Sequence, residues 1–296
     1  MELWLFYAAG AAVFAALVTI LAKIGIKDVE SNLATAIRTM VVLVFAWLMV
    51  FLVGSQNQIF HADARTWTFL ILSGLATGGS WLCYFRALKM GAVKRVAPLK
   101  KSSTILTMIL AFIFLGEPIG VFTIIGMVLM AIGTFLMVEP SAKKKSEEAE
   151  NSKNHGWLFF GIIAAVFASL TAILATIGFQ YIDASLGTAI RTMAVVPISW
   201  LMVLLTRKKN TPPSAISKKS WLFLVLSGIA TGASWLLFFR ALQLGPASHV
   251  VPIDKLSIVL TMLFARIFLR ETFSKRNLIG LALLTVGTLI VAGIFF

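Results

Sequence analysis

A chain of 296 residues that is 59% hydrophobic and only 13% charged, with a mean hydropathy of +0.94, does not read as a soluble domain, which carries roughly 25% charge. A membrane protein is expected instead. The formal charge of +14 would suggest nucleic acid in a soluble protein, but here Lys and Arg in short loops set orientation in the bilayer, and no nucleic acid is expected.

A helix that crosses a bilayer needs roughly 20 mostly apolar residues. In chain order the stretches that qualify are 3–24, 32–53, 67–88, 96–115, 119–138, 156–178, 186–205, 220–242, 250–269 and 277–295. These runs are continuous rather than alternating, and too long for barrel strands. The expected fold class is therefore all-α integral membrane, with ten transmembrane helices. The opening MELWLFYAAGAAVFAALVTILAK has no basic region before its apolar run and reads as the first helix rather than a cleaved signal. The polar segment EPSAKKKSEEAENSKNH, residues 139–155, is too charged to bury itself and reads as a linker. It separates residues 1–138 from 156–296, with five helices on either side. Cys83 has no partner for an intrachain disulfide.

The two sides repeat each other. SGLATGGSWLCYFRAL at 73–88 and SGIATGASWLLFFRAL at 227–242 agree at twelve of sixteen positions. AAVFA occurs at 11–15 and 164–168, AIRTM at 36–40 and 189–193, and VAPLKKSSTILTMILAFIFLGE (96–117) aligns with VVPIDKLSIVLTMLFARIFLRE (250–271). The chain is a duplicated five-helix unit. An odd number of crossings delivers the second copy upside down, so two inverted repeats are expected. Loop charge agrees: Lys27, Lys89, Lys94, Arg95, Lys143, Lys144 and Lys145 in the first half, and Arg207, Lys208, Lys209, Lys218, Lys219, Arg270, Lys275 and Arg276 in the second, share one face if both termini share the other. By the positive-inside rule both termini are outside and the linker is cytoplasmic.

With its duplicated unit, its small-residue third helix ending in FRAL, the prolines Pro98 and Pro252 and the LGE/LRE close of the fourth helix, the chain resembles the drug/metabolite transporter superfamily, in particular its EamA-type ten-helix members. The resemblance implies an exporter or facilitator, often proton-coupled, for solutes ranging from amino acids and nucleotide-linked sugars to sugar phosphates, quaternary amines and drugs.

Residues that could carry chemistry are few. Gly74 and Gly78, and their twins Gly228 and Gly232, form GxxxG pairs that let helices approach closely; either they simply pack, or they also permit sliding beside a transport path walled by Trp81 and Trp235. Arg38 and Arg191 lie inside the second and seventh spans. They are either anchors reaching for headgroups or guanidinium forks for a carboxylate or phosphate. Pro98 and Pro252 fit first-turn positions. After them, Lys101 matches Lys255, whereas Lys100 stands opposite Asp254. Asp254 needs a partner away from its own helical neighbour, such as Arg191 or a lysine; it is either a proton carrier or a member of a buried ion pair. Glu117 and Glu271 read as turn-shaping residues, and Arg86 and Arg240 as helix-end side chains that reach for the interface. The three histidines lack metal-ligand spacing, and no Walker loop or HExxH occurs; no cofactor, metal or catalytic residue is expected, and the chain is read as a transporter rather than an enzyme.

The favoured function is secondary transport of a small anionic or zwitterionic metabolite by alternating access, the excess of Arg38, Arg191, Lys101 and Lys255 over Asp254 favouring negative charge. The alternative is export of quaternary amines or drug-like cations through an aromatic cavity; a channel or a membrane scaffold ranks below both. Its partners are then a small-molecule solute and the lipid bilayer, of a plasma membrane or prokaryotic inner membrane; a homodimer is compatible with the sequence without being required by it.

Overall fold

The computed structural model describes residues 3–25, 29–90, 102–137, 156–205, 216–269 and 273–293. Pro98, Lys100, Lys101, Glu271, the linker 139–155 and the basic residues Lys27, Lys94, Arg95, Arg207, Lys208, Lys209 and Arg270 lie outside the described residues.

The described residues form α-helices and one 3-10 helix, without strands: α1 Leu3–Gly25, α2 Ser31–Val53, the 3-10 helix Ser55–Phe60, α3 Ala64–Met90, α4 Ser103–Leu115, α5 Val121–Met137, α6 Gly156–Gly178, α7 Ala184–Leu205, α8 Lys218–Leu244, α9 Ala247–Asp254, α10 Ser257–Leu269 and α11 Lys275–Val291. Among the described residues, seven segments are long and apolar enough to cross a membrane: Leu3–Gly25, Ser31–Val53, Ala64–Leu88, Gly156–Gly178, Ala184–Leu205, Lys218–Leu244 and Ala247–Phe264. α4 and α5 are apolar but shorter, at 13 and 17 residues. Local chemistry sets several ends. The Glu30 carboxylate accepts the Asn32 and Leu33 N–H groups at the start of α2, and Ser217 caps α8 by accepting the Ser220 N–H. Gly54 closes α2 at φ 76°, in the left-handed region where only glycine is unstrained. Large apolar side chains face outward, such as Val121 at 71% and Phe135 at 63% exposure, which suits lipid rather than water.

The stretch 250–269, expected as one helix opening at Pro252, is two helices. α9 begins at Ala247, so Pro252 is its sixth residue rather than in its first turn. Lacking an N–H, Pro252 cannot bond back to the preceding turn. The chain then tightens through i→i+3 bonds, Leu256 N–H to the Ile253 carbonyl at 2.9 Å and Ile258 N–H to the Lys255 carbonyl at 3.0 Å, before α10 resumes.

The chain forms two compact units, each drawing on both sequence repeats. One comprises Met1–Leu75, Leu174–Pro246 and Ile253–Glu271. Within it α1 and α8 run antiparallel: the Ser234 hydroxyl donates to the Ala11 carbonyl at 2.9 Å, the Ser227 hydroxyl to the Val18 carbonyl at 3.2 Å, and Gly25 lies against Leu224. A buried alanine face, Ala8, Ala11, Ala12 and Ala16, permits that approach. α2 packs on α7 and α8, and α10 on α1.

The other unit comprises Ala76–Ile173, Ala247–Pro252 and Thr272–Phe296. Here the Ser80 hydroxyl donates to the Ala164 carbonyl at 2.8 Å, between α3 and α6. Ser80 and Ala164 are the repeat twins of Ser234 and Ala11, so one bond is made twice. Ser80→Ala and Ser234→Ala are therefore expected to cost about the same, roughly 0.6 kcal/mol each, read as equal shifts in thermal unfolding in detergent; unequal shifts would deny the equivalence. α5 and α11, also twins, pair antiparallel through Gly126 with Gly287 and Gly133 with Gly280, each glycine seated on the other's backbone.

Candidate functional site

Helices of the first unit enclose an open cavity of about 430 Å³, within the usual size of small-molecule sites. Its walls are Tyr7 and Phe14 of α1, Phe45, Met49 and Val53 of α2, and Leu236 and Leu237 of α8; Asp183, Ser185 and Arg240 supply polar groups. An aromatic wall with a cation and a carboxylate can take an apolar molecule bearing opposite charges, and either charge alone leaves one group unmatched.

Both charged side chains are fixed locally. Asp183 caps α7, its Oδ1 accepting the Ser185 N–H at 2.8 Å, while its own N–H donates to Gln58 Oε1 at 2.7 Å. The Arg240 guanidinium donates from Nη1 to Gln243 Oε1 at 2.9 Å, and Gln243 Nε2 donates to the Phe179 and Ile182 carbonyls at 2.7 and 2.6 Å. Arg240 thus lines the cavity, where the sequence suggested only a helix-end side chain reaching for the interface.

Arg191 is 2% exposed and does not line this cavity. Its Nε donates to the Ser73 hydroxyl at 3.0 Å, and its Cζ lies 4.9 Å from the Trp235 ring centroid and 4.7 Å from that of Phe239. Phe239 in turn stacks on the buried Phe179 at 4.5 Å. Arg38, half-buried, donates from Nη2 to the Thr231 hydroxyl at 2.9 Å. Ser73 is the repeat twin of Ser227, and Thr231 that of Thr77.

Gly74, Gly228 and Gly232 each sit at a close contact with another helix. A Cβ on Gly74 would stand 2.6 Å from the Arg191 carbonyl oxygen, and one on Gly228 would meet Val41 at 2.6 Å and the Arg38 carbonyl oxygen at 3.2 Å. Gly232 lies directly on the Phe45 ring. Gly78 is buried and Trp81 half-buried in α3.

Asp254 does find a lysine, but the neighbouring one. Its Oδ2 accepts from Lys255 Nζ at 3.0 Å, with Lys255 34% and Asp254 22% exposed. The expectation that adjacent residues diverge assumed an unbroken helix, and the break after Asp254 removes that geometry.

Glu117 does more than shape a turn. Its two carboxylate oxygens accept the Ala247 and Ser248 N–H groups at 2.7 and 2.8 Å, capping α9 from 130 residues away. Glu117→Ala is expected to lower stability by about 1–2 kcal/mol, measured as thermal unfolding, with Glu117→Gln losing about half as much because one acceptor remains.

Sequence reasoning missed Asp183, Gln243 and the aromatic wall. Asp183 had a readable signal, an Asp just before a helical run. Tyr7, Phe14 and Phe45 had none, for their spans are apolar on every side.

The EamA-like transporter family matches residues 2–139 and again 155–293. An "Uncharacterized transporter in cobO 3'region" from Sinorhizobium sp is 42% identical over 139 residues, covering 47% of this chain and 98% of that protein. An "Uncharacterized transporter" from Archaeoglobus fulgidus is 22% identical over 268 residues, 90% of this chain and 89% of that one. A "Probable 4-amino-4-deoxy-L-arabinose-phosphoundecaprenol flippase subunit ArnE" from Aeromonas salmonicida is 31% identical over 72 residues, 24% of this chain and 63% of the relative. A solved crystal structure shares the fold with a TM-score of 0.77 at 18% identity, covering 97% of this chain and 96% of its own. With a family match over nearly the whole sequence and apolar helices long enough to span a bilayer, the chain is a multi-pass membrane protein and belongs to the EamA-like transporter family.

Proposed function

We propose that this transporter carries a small zwitterionic or anionic solute with an apolar portion, by alternating access between two inverted five-helix repeats of a ten-helix chain. The observation that carries the substrate reading is the shared cavity of Arg240, Asp183, Tyr7, Phe14 and Phe45. The inverted arrangement is supported by the antiparallel glycine pairing of the twin helices α5 and α11. It is also supported by a relative of which 98% is matched by 47% of this chain. The broken helix α9–α10 fits the discontinuous helices of such transporters. It carries Asp254, to which we assign the coupling proton; both termini lie outside in this scheme.

Three probes with one ring and different charges test the reading: phenylalanine, phenylacetate and phenethylamine. A ligand at about 100 times its Kd adds about 2.7 kcal/mol of apparent stability, easily read as a thermal shift of the purified protein. Phenylalanine should stabilise most and phenylacetate next, and in Asp254→Asn the pH dependence of the shift should disappear. Stabilisation by phenethylamine alone would favour the cationic alternative, which the aromatic wall and Asp183 also suit.

A further inference from the structure

We infer that Gln243 is a positioning residue that holds Arg240 as the anion-binding group of the cavity and ties it to the turn that carries Asp183; this rests on the cavity being the solute site. A glutamine amide has one acceptor oxygen and two N–H donors. Here Nε2 donates to two backbone carbonyls, of Phe179 and Ile182, at 2.7 and 2.6 Å. Rotating the amide would set its oxygen against both carbonyls, so the geometry itself fixes which end is which. Oε1 is thereby turned permanently toward Arg240 Nη1, at 2.9 Å. The guanidinium fork is rigid and planar, so anchoring one of its nitrogens restricts the direction of the others.

The same amide joins two elements that each bring one charge to the cavity. Arg240 comes from α8, and Asp183 follows the turn whose carbonyls Gln243 binds. Gln243 therefore sets the separation of the positive and negative groups, the quantity that distinguishes a zwitterion from a single charge.

The repeat supplies an internal comparison. Arg240 and Arg86 are the same arginine of the FRAL motif, but Gln243 is matched by Lys89, a residue with no acceptor. Arg86 is exposed, its guanidinium 5.9 Å from the centroid of the Phe160 ring, whereas Arg240 is half-buried at the cavity. The motif alone does not put an arginine into a binding site; the residue type three positions on differs between the two copies.

The test compares the purified wild-type chain with Gln243→Met, which keeps the shape of the side chain and removes its hydrogen bonds. Three readouts apply: affinity for phenylacetate and phenethylamine, modification of Arg240 by phenylglyoxal followed by peptide mass spectrometry, and hydrogen exchange at residues 179–185. Expected in Gln243→Met are phenylacetate binding weaker by about tenfold, since a hydrogen bond to a charged group is lost, phenethylamine binding unchanged within about twofold, faster Arg240 modification and faster exchange. Equal weakening for both probes, or unchanged Arg240 modification, would overturn the role of Gln243. If the wild type binds no probe, the solute reading fails by itself, and modification and exchange still decide whether Gln243 holds Arg240. Should Gln243→Met not fold, Gln243→Glu replaces it: the acceptor for Arg240 remains and the donors are gone. Exchange should then quicken while Arg240 modification stays at the wild-type rate, and the reverse pattern would overturn the inference.

Discussion

Gly133→Val is expected to unfold the α5–α11 pairing or push it apart, with a loss of stability of about 3 kcal/mol or more. Even the first added carbon at this position would stand 2.5 Å from the Gly280 carbonyl oxygen and 2.6 Å from the Leu284 nitrogen. Both are backbone atoms of a helix, so neither can swing aside as a side-chain tip would. The contact is reciprocal, a Cβ on Gly280 meeting the Gly133 oxygen at 2.7 Å, and every ångström of separation forfeits dispersion along both helices. Gly133→Ala isolates the smaller insult. Its helix propensity gain of about 1 kcal/mol opposes an overpacking cost of about 1–3 kcal/mol, so a net loss smaller than that of valine is expected. Gly120, with nothing within 4 Å of its added carbon and no positive φ, supplies the control, and Gly120→Ala should stay within about 0.5 kcal/mol of wild type. Thermal unfolding in detergent ranks the three; a Gly133→Val protein as stable as Gly120→Ala would remove the pairing from the structure.

Arg191→Lys is expected to be more damaging than Arg191→Met, although lysine is the nearer residue by charge. The Arg191 guanidinium lies against two rings, at 4.9 and 4.7 Å, and its Nε reaches Ser73. Desolvated cation–π contacts are worth about 2 kcal/mol or more; a lysine ammonium keeps only part of that attraction and loses both the flat face that stacks on the rings and the Nε–H that reaches Ser73. Lysine keeps the cost of a charge inside the membrane, about 2.5–3.5 kcal/mol on insertion scales, while giving up the stacking and the hydrogen bond that help offset it. Methionine gives up the same contacts and the charge together, and its sulfur packs well against aromatic rings. We expect a loss of about 2–4 kcal/mol for lysine and about 1 kcal/mol for methionine. The reverse order in thermal unfolding would mean that the charge at this position, rather than the plane, is what the site holds.

Much of the helical fold was legible because bilayer physics writes it in composition: α1, α2, α3, α6, α7 and α8 coincide with continuous apolar runs to within a few residues. The duplication was legible from aligned segments; the twin bonds of Ser80 and Ser234 are seen only in the structure. The break between α9 and α10 was not legible. Hydropathy stays high across it, and its causes are local: a proline six residues into a helix, and a start at Ala247 held by Glu117 across 130 residues of sequence. Of the residues singled out in the sequence, Arg191 is buried, against Ser73 and the Trp235 and Phe239 rings. The cavity escaped notice because an aromatic residue facing a cavity and one facing lipid look alike in a sequence. Gln243 escaped for a different reason, since a single amide near a helix end carries no pattern at all.

The most direct test of the central claim is flux. The chain, reconstituted in liposomes, is given radiolabelled phenylalanine, with Arg240→Gln reconstituted alongside at matched amount and thermal stability. Saturable entry in the wild type, at least about tenfold faster than in Arg240→Gln, is the predicted result, with unlabelled phenylacetate competing and phenethylamine competing poorly. Wild-type entry no faster than in empty vesicles, or equal in the two proteins, would contradict the assignment of this cavity as the solute site.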